Sequence, residues 1–278
     1  MNESLIEAIC LEFRQMDPIT GYRLLPPLYR REEHALQCTN PESVYRFNRT
    51  IYARLLRDFS LDDAFIRLPE STKALYSKEV DRLESKVRSS SIHHFQTSND
   101  SFRKDLAILT HRLVPCGAEF FYPYGGIPRS LAIRSGLTGL TRFLAATWAL
   151  RGLKPLLELH LHSEVLDAFT PEGWLNTYEN LADVLGLNPQ FLGVQSFSWF
   201  LDPALEWISP HLAYLRQIPE QCGAYIFYSS DEPPLASAAL HKSQKRRSLA
   251  ETGKYQPKIY ARVWPRKALL KRLWRLKT

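Results

Sequence analysis

Past residue 100 the chain keeps changing its hydrophobic period. Short apolar runs at 118–122, 156–162, 192–200, 224–228 and 259–263 alternate with stretches of helical spacing at 101–113, 131–151, 171–185 and 203–215. Short strands separated by longer helices can bury their faces only as a mixed sheet covered by helices. The expectation is therefore an α/β (α+β) fold. A chain of 278 residues can bury such a core without disulfides. Cys10, Cys38, Cys116 and Cys222 form neither a CxxC pair nor a zinc spacing, and read as reduced, mostly buried thiols of a cytoplasmic protein.

The first hundred residues lack that alternation and read as a helical region. Helical spacing covers 3–16 and 71–87, and a further helix starts at Pro41 with Asn40 as its cap. Residues 17–40, with Pro18, Pro26 and Pro27, read as an irregular connection. The serine-rich stretch 88–100 reads as a linker, with His93 and His94 in a surface loop. The expected organisation is a helical region over 1–100, a sheet domain over 101–265 and a basic amphipathic helix over 266–278. Glu3, Glu7 and Glu12 argue against a secretory leader, and no apolar stretch is long enough to span a bilayer.

Charge is concentrated at one end. Residues 241–278 hold 13 Lys/Arg against Glu251 alone, so that segment is +12 and the remainder of the +7 chain is −5. From Arg266 onward the cations Lys267, Lys271, Arg272 and Arg275 interleave with leucines and Trp274. Such a helix fits an anionic membrane surface, an acidic carrier protein, or simple packing on its own domain. Nucleic acid is disfavoured by the acidic body.

Three segments could carry chemistry. In 156–164, a period of two puts Leu157, Leu159 and Leu161 on one face and Glu158, His160, His162 and Glu164 on the other. Imidazoles beside carboxylates suit general acid–base work, since histidine titrates near neutrality. His160 and His162 could instead be two metal ligands, or the face could be merely hydrogen-bonded. Between a strand and a helix, Tyr124, Gly125, Gly126, Arg129 and Ser130 could hold an anion, glycines allowing close backbone approach. In the third segment Trp199 could wall a pocket, and Asp202 before Pro203 reads more as a helix cap than as an acid.

The order of parts from Leu156 to Leu205 resembles the C-terminal half of bacterial acyltransferase-type proteins with a GNAT-like fold preceded by a helical domain. The resemblance rests on a strand ending in Leu159-His160-Leu161-His162, a Thr170-Pro171-Glu172 helix start, and a strand closing at Ser198-Trp199-Phe200-Leu201-Asp202. It implies transfer of an acyl group from a thioester, acyl-CoA or an acyl-carrier, to an amine or hydroxyl, with His160 or His162 as base and Glu158 or Glu164 orienting it. The cofactor loop of such enzymes is approached only by Arg134-Ser135-Gly136-Leu137-Thr138-Gly139, whose glycines are differently spaced. The alternatives are a non-catalytic protein docking through its basic end and a metalloenzyme using the His-x-His strand.

Overall fold

The computed structural model describes residues 2–277 apart from 39–40, 90, 92, 135, 163–168, 233–236 and 242, with backbone only for 41, 63 and 272–277. Two compact units emerge. One comprises Met1–Pro123 with His160–Ala168, the other Tyr124–Leu159 with Phe169–Thr278.

The first unit is built from α1 (Glu3–Gln15), α2 (Pro27–Gln37), α3 (Pro41–Arg57), α4 (Glu70–Ser89) and α5 (Asp100–Leu109). Asn2 caps α1 by accepting from the Ser4 N–H, and Ile6, Ile9, Cys10 and Phe13 form its buried stripe. The stretch 17–40 is not irregular throughout. Pro27 sits in the first turn of α2, where a missing N–H costs nothing, so the prolines start a helix there. Phe13, Tyr29 and Phe47 meet edge to face or tilted, and Tyr52, Phe95 and Phe102 form a second aromatic group.

Residues 88–100 do not behave as a linker. α4 continues to Ser89, and Phe95 is completely buried, its carbonyl accepting from Asn48 Nδ2 at 2.9 Å. His93 is exposed, as expected, but His94 is buried. The polar composition conceals one anchoring aromatic and one internal histidine. The helical unit thus runs past residue 100: α5 is buried along most of its length, and β1 (Val114–Pro115) pairs antiparallel with β2 (Phe120–Gly125) through Val114↔Phe121.

The second unit contains α6 (Leu131–Arg134), α7 (Gly136–Leu150), β3 (Leu156–His160), α8 (Pro171–Leu187), β4 (Gly193–Ser198), α9 (Leu205–Ile208), α10 (Tyr214–Gln221), β5 (Tyr225–Asp231), α11 (Ala238–His241), α12 (Gln244–Glu251), β6 (Lys258–Pro265) and α13 (Arg266–Lys277). The strand order is β1-β2-β3-β4-β6-β5, a six-stranded mixed sheet. β3 and β4 are parallel, with Glu158 opposite Gln195, whereas β6 runs antiparallel to both β4 and β5. Thr170 caps α8 by accepting from the Gly173 N–H, as the Thr-Pro pair suggests. Gly193 is obligatory on β4, because a Cβ there would lie 2.3 Å from the Trp264 carbonyl oxygen.

The core of this unit gathers Leu131, Phe143, Ala146 and Leu150 over Leu156, Phe227, Ala261 and Val263. The apolar 131–151 stretch is two helices rather than one. Only part of it is core: Phe143 is buried, while Leu137, Leu140, Leu144 and Trp148 are exposed.

The basic end is also more integrated than its charge suggests. Arg246 and Arg262 are buried, and 258–265 is an interior strand. α13 packs against α8, with Leu269 fully buried and Arg266 Nη1 donating to the Asn188 carbonyl at 3.0 Å. Lys267 and Lys271 are exposed. The side chains of Arg272, Trp274 and Arg275 lie outside the described residues. Among the described residues no helix is long and apolar enough to cross a membrane.

Candidate functional site

β3 shows the expected alternation, with Leu157 and Leu159 buried and Glu158 and His160 half-buried. It is an extended strand, as period two requires, but its ladder ends at His160. Glu164 lies outside the described residues.

In the second unit, Glu158 is held from the neighbouring strand. The parallel register sets Gln195 beside it, and Gln195 Nε2 donates to Glu158 Oε2 at 2.6 Å. Gly125 lies against this pair. A Cβ at Gly125 would come within 2.8 Å of Glu158 Cβ and 2.9 Å of Gln195 Nε2. Gly126 approaches the segment just before β3 in the same way: its Cβ would meet Lys154 Cβ at 3.1 Å, and the next residue, Ile127, donates its N–H to the Leu153 carbonyl at 2.9 Å. The two glycines thus bring backbone close to protein. Tyr124 adopts φ 72° and places its ring 5.2 Å from Phe191. Arg129 and Ser130 are exposed, and Arg134 donates to the Ser229 carbonyl. Close packing accounts for the two glycines.

In the first unit, α5 grips the residues that follow His160. Lys104 Nζ donates to the Leu161 carbonyl at 2.7 Å and pairs with Asp100 at 2.6 Å. The next residue, Asp105, takes His162 Nε2 at 3.1 Å. Asp105 is fully buried and also meets Arg82 Nη2 at 2.6 Å and His94 Nε2 at 3.3 Å, while Arg82 in turn pairs with Glu79. Burial pushes the Asp105 pKa up, but hydrogen bonds from His162 and His94 and the Arg82 charge outweigh it and hold the carboxyl well below the usual range. Burial likewise raises Glu79, against the opposing pull of Arg82.

The two histidines of β3 and its end therefore differ. His162 is completely buried and bonded to Asp105, which anchors the chain at that point. His160 is half-buried. Its ring lies edge-on to Tyr22 at 5.0 Å and tilted to Tyr122 at 6.2 Å. Tyr22 donates to Asp100 at 3.2 Å and accepts from Arg23 Nε at 3.1 Å. Burial raises the Tyr22 pKa, with the Arg23 hydrogen bond opposing, so the phenol stays protonated near neutrality. Lys104 Nζ lies 5.6 Å from the centre of the Tyr22 ring. Sequence reasoning missed Tyr22, Lys104, Asp100, Asp105 and Gln195. Lys104 and Asp105 did leave a trace, since with Arg103 they form a run of three charges in a helix whose last four residues are apolar, but their partners lie 57 residues away in the chain.

Trp199 and Asp202 both make contacts inside the second unit. Trp199 packs with Leu205 and Ala239 under the Arg246 guanidinium, 4.8 Å from its ring centre. Asp202 accepts from the Ala204 N–H at 3.0 Å and from the Tyr255 hydroxyl at 3.3 Å, and burial raises its pKa. It does not cap the following helix, whose N-cap is Ala204; the Asp202 carboxylate closes the turn that leads into it. Among the described residues no group of three or more His, Cys, Asp or Glu is arranged to hold a metal ion.

No family model matches the chain, and no curated protein matches it. Among solved structures, one described as the crystal structure of acyltransferase in complex with decanoyl-CoA is similar at 14% identity and a TM-score of 0.48, over 94% of this chain and 77% of that chain. A likeness at that distance assigns no chemistry to these residues.

Proposed function

We propose that this chain moves an acyl group from a thioester donor to an amine or hydroxyl acceptor, with His160 as general base. The observation that carries the reading is the contrast within one segment. His162 is sealed against Asp105, whereas His160, two residues earlier, stays half-buried between Tyr22 and Tyr122 on backbone that Lys104 and Asp105 hold in place. A fixed, partly shielded imidazole is what proton transfer from an acceptor requires. The resemblance of residues 156–205 to acyltransferase-type proteins supplies the reaction class.

In this reading His160 takes the proton of the acceptor as its nitrogen or oxygen attacks the thioester carbonyl. The tetrahedral oxyanion then collapses, the C–S bond breaks, and the thiolate leaves with the proton held by the imidazolium. Tyr22 is a positioning residue whose ring holds the imidazole. The donor's carrier is coenzyme A or an acidic carrier protein, and exposed Lys267 and Lys271 offer cations to the latter.

The test is acceptor-dependent thiol release from a series of acyl-CoA donors. His160→Gln should reduce turnover by roughly 10²–10⁴-fold, the usual contribution of a positioned base, with the donor KM little changed. Tyr22→Phe, which keeps the ring, should cost far less than Tyr22→Ala. Unimpaired turnover in His160→Gln would sink the assignment, as would the absence of thiol release with every donor and acceptor tried.

A further inference from the structure

The outer face of α6 and α7 is apolar and bare. Ile133 is 83% exposed, Leu137 84%, Leu144 58% and Trp148 87%, with Leu140 beside them at 40%. On α7, steps of three, four and four residues align Leu137, Leu140, Leu144 and Trp148 as one stripe, and Ile133 is exposed on the neighbouring α6. From Leu137 to Trp148 the stripe runs about 17 Å along α7. The opposite face, Gly139, Phe143, Ala146 and Leu150, faces the core, so α7 is apolar on both sides. Scattered exposed leucines need no explanation, but an aligned set of this size marks a surface that something covers.

The charges around the stripe identify the chemistry of what covers it. Between residues 120 and 157 there is no Asp or Glu, whereas Arg129, Arg134, Arg142, Arg151 and Lys154 give +5. All five are exposed. Two cations precede the stripe, two follow it, and Arg142 flanks it. A second copy of the chain is disfavoured, because an isologous contact pairs the patch with itself and sets guanidinium against guanidinium. The stripe is exposed along its length, and Trp148, at 87% exposure, lies at one end beside Arg151. Exposed apolar side chains flanked by cations, with an indole at the margin, match a headgroup–acyl boundary.

We infer that α6 and α7 form a lipid-docking surface that seats the second unit on an anionic phospholipid bilayer, with the apolar stripe entering the acyl boundary and Arg129, Arg134, Arg142, Arg151 and Lys154 meeting lipid phosphates. The inference does not depend on the acyl-transfer reading.

Co-sedimentation of the full chain with vesicles of equal parts phosphatidylcholine and phosphatidylglycerol tests it. The wild type should bind these vesicles and bind pure phosphatidylcholine far more weakly, with binding reduced by salt. Leu144→Glu with Trp148→Glu should weaken binding by at least roughly tenfold. Arg151→Gln and Lys154→Gln should each weaken it by roughly fivefold, the loss expected for one surface cation. All four positions are exposed, so far-UV circular dichroism and the urea midpoint should be unchanged. Should the glutamate pair fail to fold, quenching by bromine-labelled acyl chains provides a second readout, falling in Trp148→Phe relative to wild type. The inference is overturned if the anionic vesicles bind no better than neutral ones, or if the glutamate pair binds as wild type does. A dimer that Leu144→Glu dissociates, in a protein indifferent to vesicles, would assign the surface to a second copy instead.

Discussion

Removing the carboxylate of Asp105 is the most informative single perturbation of the helical unit. It is fully buried and serves three partners: Arg82 at 2.6 Å, His162 at 3.1 Å and His94 at 3.3 Å. Asp105→Ala deletes the acceptor and leaves a guanidinium and two imidazoles facing an apolar gap. Breaking a buried pair by removing one partner typically costs about 3–5 kcal/mol, because the remaining charge loses its compensation. Glu79 also meets Arg82 and limits the loss, so the lower half of that range is expected. At about 3 °C per kcal/mol for a chain of this size, the unfolding transition should fall by about 9–12 °C. Asp105→Asn keeps an acceptor of the same shape and should lose less. The pH dependence gives an independent check. The folded pKa is depressed, so the carboxylate contributes fully above its unfolded value near 4 and loses that contribution as pH falls through the folded value. The gap between wild type and Asp105→Asn should hold from neutrality down to about pH 4 and narrow below it. Far-UV circular dichroism is the appropriate probe, since every tryptophan lies in the other unit. A loss under about 1 kcal/mol for Asp105→Ala, or a gap that persists into strong acid, would refute the charge argument.

Three further outcomes are expected. Gly125→Ala should destabilise by about 1–3 kcal/mol, since its methyl would press on Glu158 Cβ and Gln195; Gly186→Ala, exposed on α8 with open space around it, should instead stabilise by about 0.5–1 kcal/mol, both read from urea midpoints. Arg262 is 1% exposed, donates to the Tyr178 hydroxyl at 3.1 Å and lies over the Trp174 and Tyr178 rings, so Arg262→Ala should cost about 2–4 kcal/mol and Arg262→Met less, as followed by tryptophan fluorescence. Exposed Cys38 should be alkylated first in the native protein, while Cys10, whose thiol burial pushes up to about 11, and buried Cys116 and Cys222 should react only on unfolding, as peptide mapping by mass spectrometry would show.

Some of this protein could be read directly from its residues, because local patterns carry local structure. The Thr170-Pro171 helix start and the switching of period past residue 100 reflect short-range sterics and hydrogen bonding and appear in the fold, whereas the period-two run 156–162 is strand only as far as His160. That the two histidines play different parts could not be read there. Both belong to the same alternation, and what separates them is that Asp105, 57 residues earlier on α5, reaches His162. Likewise Gln195 becomes the partner of Glu158 only because β3 and β4 pair in parallel at one register. Several leucines of the apolar stretch 131–151 stay exposed, because hydrophobicity records what a side chain prefers, not whether an element arrives to cover it. Composition determined which residues needed partners. The packing of segments far apart in the chain decided which of them found one.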